Sequence, residues 1–379
     1  MSVEDLQIRA VATRADDRAF CQFPYDLYRD DPRWAPPLRS YERRRWSARH
    51  HVSLRSRWVR RFVARRGGTP VGRAAAIFDE AFASRWSPGT GFFGFFECAD
   101  DGEACRALLA AAESALRDRG ATAILGPVNL TTHDEVGILV SGFEQPPVLL
   151  TPYNPPYYPS LLEDAGYEPR LEFSAYRWEP AQKPSGVVAR LVRRLHRQWE
   201  GSSGLRIRPA DPRRWDAENK VFFQLYNDAF EDLWGFVPLE WDEYRERAEQ
   251  FRPFYRPELA LIAEVGGDPV GFGLLLPNLN EALVGLRGRL FPFGWVRLAQ
   301  RIPKISMARF VLLGVRAEYR GRGIAACIAH EAAETTRRLG IEAVEISVVQ
   351  DSNREMRHVV AAFGCPRVKT LRLYEKRQI

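Results

Sequence analysis

The chain has 379 residues, 45% apolar and 27% charged, an ordinary globular composition that is long for one domain and comfortable for two. Its net charge of +7 and pI of about 9.3 favour an anionic partner, whether coenzyme A, an acidic carrier protein, anionic lipid or nucleic acid, without choosing among them. Five cysteines without CxxC or metal-ligand spacing exclude a metal framework, and no run of 18 uncharged apolar residues exists to span a membrane.

The scattered cysteines fit reduced thiols in a cytoplasmic protein. Met1 to Phe20 is charged throughout and lacks an apolar core, so it does not read as a secretory signal. Aromatics are abundant, with 22 Phe and ten Trp; beyond those a core needs, some suit a ligand cavity or a membrane surface.

In chain order, the first feature is a basic run from Arg39 to Arg66 that holds Trp46, Trp58 and one acid, Glu42. It reads as a solvated arginine-rich surface or as a contact for RNA phosphate. Gly68-Thr69-Pro70-Val71-Gly72 follows, between apolar runs on both sides, and predicts a hairpin with a Gly-Pro turn. A strand from Phe92 to Cys98, a helix from Glu103 to Arg119 stopped by Gly120, and a strand from Thr122 to Leu125 come next. The residues after the first of these strands, Glu97 to Asp101, are acidic and would repel a phosphate.

Gly126 to Glu135 is a polar cluster set between apolar runs and contains His133 and Asp134. A histidine beside a carboxylate can serve as a general base with its orienting partner. A helix cap at Thr132 or Asp134 with a solvated histidine is the plainer alternative. Tyr153-Asn154-Pro155-Pro156-Tyr157-Tyr158 is a rigid aromatic turn, and Glu179 to Gly204 reads as a connecting helix with flanking linkers.

The pattern then repeats. Gly267-Asp268-Pro269-Val270-Gly271 echoes the first hairpin, and a strand from Phe310 to Val315 leads to a helix, Gly323 to Leu339, stopped by Gly340 before a strand from Ala343 to Val349. The division expected is a first lobe over 1–180, a connector over 181–204 and a second lobe over 205–379. About 21 extra residues in the second lobe fall around Leu283 to Lys304. That segment interleaves Phe291, Phe293 and Trp295 with Arg287, Arg289, Arg297, Arg301 and Lys304, as a membrane-surface element does.

Where the strand from Phe310 to Val315 gives way to the helix beginning at Gly323 lies Arg320-Gly321-Arg322-Gly323-Ile324-Ala325. A helix N-terminus exposes unpaired N–H groups and the positive end of a dipole, glycines let a phosphate approach the backbone, and two arginines add charge. The physics is that of a pyrophosphate cradle. No such loop follows the strand in the first lobe.

The loop resembles the Gln/Arg-x-x-Gly-x-Gly/Ala motif of the GCN5-related N-acetyltransferase (GNAT) superfamily, with Arg320, Gly323 and Ala325 at the matching places. The resemblance extends to Val315, where that family has a strand bulge holding the pantetheine arm, and to Asn353, where it has an Asn opening the next helix beside the coenzyme. It implies an α/β fold of tandem GNAT-like lobes, each a mixed, mostly antiparallel sheet flanked by helices, with Lys369 to Glu375 as the closing strand. It also implies acyl-CoA as co-substrate, bound by Val315, Arg320 to Ala325 and Asn353, with no metal. Two departures stand out. Val360 occupies the place of the usual general-acid Tyr, and Arg309 to Gly314 lacks the Glu that some members use as base.

The order Phe-Gly-Phe-Phe-Glu, Gly-Pro, Tyr-Asn-Pro-Pro-Tyr-Tyr resembles a two-lobed bacterial group that includes the ceramide synthases. The expectation is an N-acyltransferase moving an acyl group from acyl-CoA to an amine, a lipid amine of sphingoid-base type included, with His133 and Asp134 as its catalytic pair. The protein would be cytoplasmic, with an anionic membrane surface as a partner and nucleic acid disfavoured. A transferase drawing on aminoacyl-tRNA and a coenzyme-binding protein without turnover are the alternatives.

Overall fold

A computed structural model describes residues 5–182 and 204–379, together with 186, 190 and 194. The connecting helix expected over 181–204 lies almost wholly outside the described residues. Two compact units emerge. The first comprises 1–172, 280–299 and 369–379; the second comprises 173–279 and 300–368.

In the first unit, β1 (Leu6–Ala10), β2 (Trp58–Arg66), β3 (Thr69–Phe78) and β4 (Thr90–Cys98) pair antiparallel in sequence, and β5 (Ala123–Gly126) lies parallel to β4. Helices α1 (Arg14–Leu27), α2 (Arg39–Arg44), α3 (Glu80–Arg85) and α4 (Gly102–Arg117) interrupt them, and β6 (Ile138–Ser141), α5 (Tyr158–Asp164) and β7 (Glu168–Trp178) follow. Helix α4 buries Ala104, Leu108, Ala112 and Leu116 against the sheet, a spacing that keeps small residues on one face.

The second unit repeats the plan. Strands β8 (Leu205–Pro209), β9 (Ala260–Val265), β10 (Asp268–Pro277) and β11 (Met307–Val315) run antiparallel, and β12 (Ala343–Gln350) is parallel to β11. Helices α6 (Trp215–Phe230) and α7 (Trp241–Phe251) precede β9; between β10 and β11 the chain forms α8 (Asn280–Leu283), which belongs to the first unit, and α9 (Gly294–Arg301), which runs from the first unit into the second; α10 (Ile324–Arg338) and α11 (Arg354–Ala362) flank β12. Each sheet is therefore mixed, mostly antiparallel and flanked by helices.

The hairpins match closely. Their turns are Gly67-Gly68 and Gly266-Gly267, all four at positive φ, which the tight right-twisted hairpin turn requires. The prolines do not form these turns as expected. Pro70 and Pro269 sit in the second strand of each hairpin, next to a bulge in which Val71 and Val270 are the extra residues. A bulge tolerates a residue without an N–H.

The closing strands differ from expectation. β13 (Arg367–Arg377) does not complete the second sheet. It pairs antiparallel with β5 in the first unit, Tyr374 opposite Gly126 and Arg377 opposite Ala123. The second sheet is closed by β7, with Trp178 opposite Val344 and Phe173 opposite Gln350. Arg372 on β13 donates to Glu172 at 2.6 Å within the first unit, which fixes that strand's register.

Candidate functional site

Strand β11 ends at Val315, a 3₁₀ turn spans Ala317–Tyr319, and the chain enters α10 through Arg320 to Gly323. Gly321 has φ +71 and Gly323 φ +83, conformations that cost an L-residue about 1–2 kcal/mol and a glycine little. Gly323 is the N-cap and offers no side-chain acceptor, so the first-turn N–H groups of Ile324 and Ala325 have no side-chain cap. Helix α11 contrasts: the Asn353 side chain accepts from the Met356 N–H at 3.0 Å and closes its N-terminus. An uncapped helix start behind two left-handed glycines fits an anion.

The two arginines divide the work. Arg320 is a strut, its guanidinium donating to the Ala229 carbonyl at 2.9 Å, the Val315 carbonyl at 3.4 Å and the Asp232 carboxylate at 3.2 Å. Arg322 is exposed and rests over the Tyr319 ring at 5.2 Å. Exposed and without a carboxylate partner among the described residues, its charge is available to a phosphate. The strand bulge expected at Val315 is found earlier. Register shifts where Leu274 and Leu275 face Leu312 and Phe310, making Val311 the extra residue, while Val315 pairs regularly with Gly271.

Pairing between β11 and β12 stops at Phe310 opposite Ile346, and the two strands part beyond that point. On the α10 and α11 face, a small, partly open apolar cavity lies beneath the parting strands, with Phe310, Ile346, Ala333 and Val360 among its lining. On alternate positions of β12 stand Glu345 and Ser347, both buried. The Ser347 hydroxyl, on a residue 5% exposed, has no hydrogen-bond partner among the described residues. Arg309 sits level with Glu345 and donates to the Ser347 carbonyl at 3.1 Å. Glu345 and Ser347 were not singled out from sequence. Alternation of polar and apolar residues along Val344 to Gln350 was the available signal.

In the first unit, Thr131 to Asp134 form a turn rather than a helix N-terminus, so the expected cap is absent. Asp134 accepts from the Thr131 hydroxyl at 2.8 Å, and the His133 N–H donates to that same hydroxyl at 3.1 Å. Asn129 from the same segment accepts the Phe95 N–H at 2.7 Å and donates to Glu135 at 2.8 Å. This tie holds Phe95 at φ +49 in the middle of β4.

The aromatic turn closes on that strand. Tyr158 and Tyr28 both donate to the Glu97 carboxylate at 2.7 Å, and Tyr157 donates to the Cys98 carbonyl at 2.9 Å. Burial pushes the Glu97 carboxyl up to about 7, against the pull of Arg73 and the two hydroxyls. Nearby, burial alone would raise Glu42, but Arg45 at 3.1 Å and Arg73 at 3.0 Å hold it below its ordinary range.

The basic run is a solvated surface only in part: Arg43, Arg44, Arg49, Arg55 and Arg60 are exposed, while others pair with carboxylates. Arg45 pairs with Glu42, Arg57 with Asp79 at 2.7 Å, Arg61 with Asp17 at 2.6 Å, and Arg66 with Asp101 and Glu103 at 2.9 and 2.7 Å. The later insert is different. Phe291, Phe293 and Trp295 are 86, 71 and 61% exposed, and Arg287, Arg289, Arg297, Arg301 and Lys304 of the same stretch of sequence are exposed as well.

All five cysteines are buried and free, and burial raises Cys327 to about 11 and Cys365 to about 12, so they are inert thiols. Among the described residues no cluster of His, Cys, Asp or Glu could hold a metal ion, and no helix is long and apolar enough to cross a membrane.

Residues 222–365 match the acetyltransferase (GNAT) family, a stretch that contains Arg320 to Ala325. Over 375 residues the chain is 33% identical to Protein YghO of Escherichia coli (strain K12), covering 97% of this chain and 95% of that one. Over 380 residues it is 33% identical to the Bacterial ceramide synthase of Caulobacter vibrioides (strain NA1000 / CB15N), covering 98% and 97%. In structure it resembles a tandem GNAT protein from the clavulanic acid biosynthesis pathway, with a TM-score of 0.56 at 14% identity over 99% of each chain. The chain belongs to the GNAT family as a tandem member, and it is an acyltransferase.

Proposed function

We propose that the protein moves an acyl group from acyl-CoA to an amine, and that the amine is a long-chain lipid of sphingoid-base type. The observation that carries the donor half is the uncapped start of α10 behind Gly321 and Gly323, with Arg322 beside it. Those backbone N–H groups and Arg322 would hold the pyrophosphate, and Val315 and Asn353 would flank the bound coenzyme. Bound acyl-CoA supplies the acyl group as a thioester. The chain's own part is to fix that donor, keep water from it and hold the amine in line, which is where much of such a rate enhancement originates. His133 is the proton acceptor we propose for the amine, with Asp134 its neighbour in the turn.

Two observations support the lipid acceptor. The whole-length relative from Caulobacter is named a ceramide synthase. The exposed Phe291, Phe293 and Trp295, interleaved in sequence with cations and with no acid between Glu281 and Glu318, suit an anionic leaflet. The pairing of Arg45, Arg57, Arg61 and Arg66 with carboxylates weighs against the aminoacyl-tRNA reading, because neutralised arginines release few phosphate counterions.

The test is intact-mass analysis of reactions containing palmitoyl-CoA and either a sphingoid base or a short soluble amine. N-acylated sphingoid base, formed faster than the short amide, is expected. Coenzyme A binding without either product would defeat both of these acceptors. Faster acylation of the short amine would defeat the lipid acceptor and leave the acyltransferase standing.

A further inference from the structure

The second unit's cavity has no role in the chemistry above, yet its surroundings are specific. Its walls are β10 through Leu275, β11 through Phe310 and Leu313, β12 through Val344 and Ile346, α10 through Ala329, Ala332, Ala333 and Thr336, and α11 through Met356, Val359 and Val360, with Trp178, Phe363 and Cys365 at the remaining sides. No charged residue lines it. The Thr336 hydroxyl is already used, donating to the Ala333 carbonyl at 2.9 Å. Burial raises the Cys365 thiol to about 12, so it stays neutral. Trp178 is 4% exposed, and its indole N–H has no partner among the described residues.

We infer that this cavity receives the hydrocarbon chain of the acyl donor and sets the length the enzyme accepts; the inference rests on the acyl-CoA reading of the cradle. Three features direct that chain there. The cradle and the cavity share one helix: Ile324 opens α10, and Ala333 lies nine residues along it, about 14 Å at 1.5 Å per residue. A donor anchored at the helix start is thus led along the wall it forms. The strands part immediately after Phe310 and Ile346, and both side chains line the cavity. The gap between strands therefore opens onto it.

The third feature is chemical. A pantetheine arm carries amides that need hydrogen-bond partners, and the lining offers the Trp178 N–H as its one free polar group among the described residues. A cationic amine would find no counter-charge. An alkyl chain needs neither. Val360 contributes here as well: a Tyr at its position would bring a hydroxyl and a larger ring to this wall, whereas Val leaves it apolar and roomy. Small Ala side chains at 329, 332 and 333 leave space on the facing helix.

The experiment is a chain-length series with the full-length protein, measuring affinity and kcat/KM for acyl-CoA from acetyl to stearoyl. Each methylene seated in the cavity strengthens binding about fourfold, so wild-type values rise steeply and then level off. In Ala333→Phe and, from the opposite wall, Val360→Phe, levelling is expected several carbons earlier, with folding confirmed by thermal melts. An acyl-CoA ending in a carboxylate should bind at least tenfold more weakly than the methyl-ended chain of equal length. A flat wild-type series, or full tolerance of the terminal carboxylate, would overturn the proposal without any variant. An unchanged levelling point in both folded variants would overturn it too. Calorimetry with unacylated coenzyme A separates this from the parent reading: if that ligand does not bind the wild-type protein, the cradle assignment falls; if it binds and the series is flat, only the cavity assignment falls.

Discussion

Gly321 and Gly340 form a matched pair for testing the cradle. Both have φ +71, and at both a Cβ would meet no atom within 4 Å. One lies in the loop before α10 and the other just past its far end, where Gly340 N–H bonds the Arg337 carbonyl at 3.1 Å. Replacing either with Ala forces a side chain into the left-handed region at about 1–2 kcal/mol. For units of this size that lowers Tm by about 2–8 °C, nearly equally in the two variants. Coenzyme A binding should separate them. A Cβ at 321 stands where a phosphate approaches the backbone, and losing one N–H bond to a charged group is worth about 1.5–3 kcal/mol, or about 10- to 150-fold in Kd. Gly340→Ala should leave Kd within twofold. Calorimetry with coenzyme A and differential scanning fluorimetry on both proteins give the answer. Equal Kd values for the two variants would refute the cradle, because backbone strain alone would then account for every effect.

Arg322→Ala should weaken coenzyme A binding and flatten its salt dependence with little change in Tm, whereas Arg320→Ala should lower both Tm and affinity, since Arg320 ties the loop to Ala229 and Asp232; thermal melts and calorimetry at two salt concentrations distinguish them. Burial raises the Glu97 carboxyl to about 7, so the fold favours its protonated form, and that stability is present below pH 4.5 and lost as pH climbs toward 7. Between pH 4.5 and 7.5 the wild type should therefore lose up to about 3 kcal/mol more than Glu97→Gln in urea unfolding, and parallel curves would contradict the burial argument. Changing Phe291, Phe293 and Trp295 together to Ser should cut flotation with anionic vesicles at least tenfold without lowering Tm, because all three are exposed; unchanged flotation would remove the insert from membrane docking.

Much of this protein is written in short stretches of sequence. The paired glycines before Thr69 and Asp268, the glycines ending α4 and α10, and the basic loop at Arg320 to Ala325 depend on local backbone conformation, and residues without freedom at positive φ cannot substitute there. The alternation along strands and the alanine faces of α4 and α10 fix which side is buried. Those features mark a repeated element order and a single basic glycine loop at a helix start. The tertiary structure decided what depends on residues far apart. Strand pairing joins backbones, so Lys369 to Glu375 carries no mark of the sheet it enters, and only the structure places it beside β5 with β7 closing the other sheet. Charge is also blind to distance along the chain: Arg57, Arg61 and Arg66 look solvated until Asp79, Asp17 and Asp101 are found beside them. The buried Glu97 clamped by Tyr28 and Tyr158, and the apolar cavity between α10 and α11, arise where separate segments converge, and volume and desolvation exist only once those segments have met.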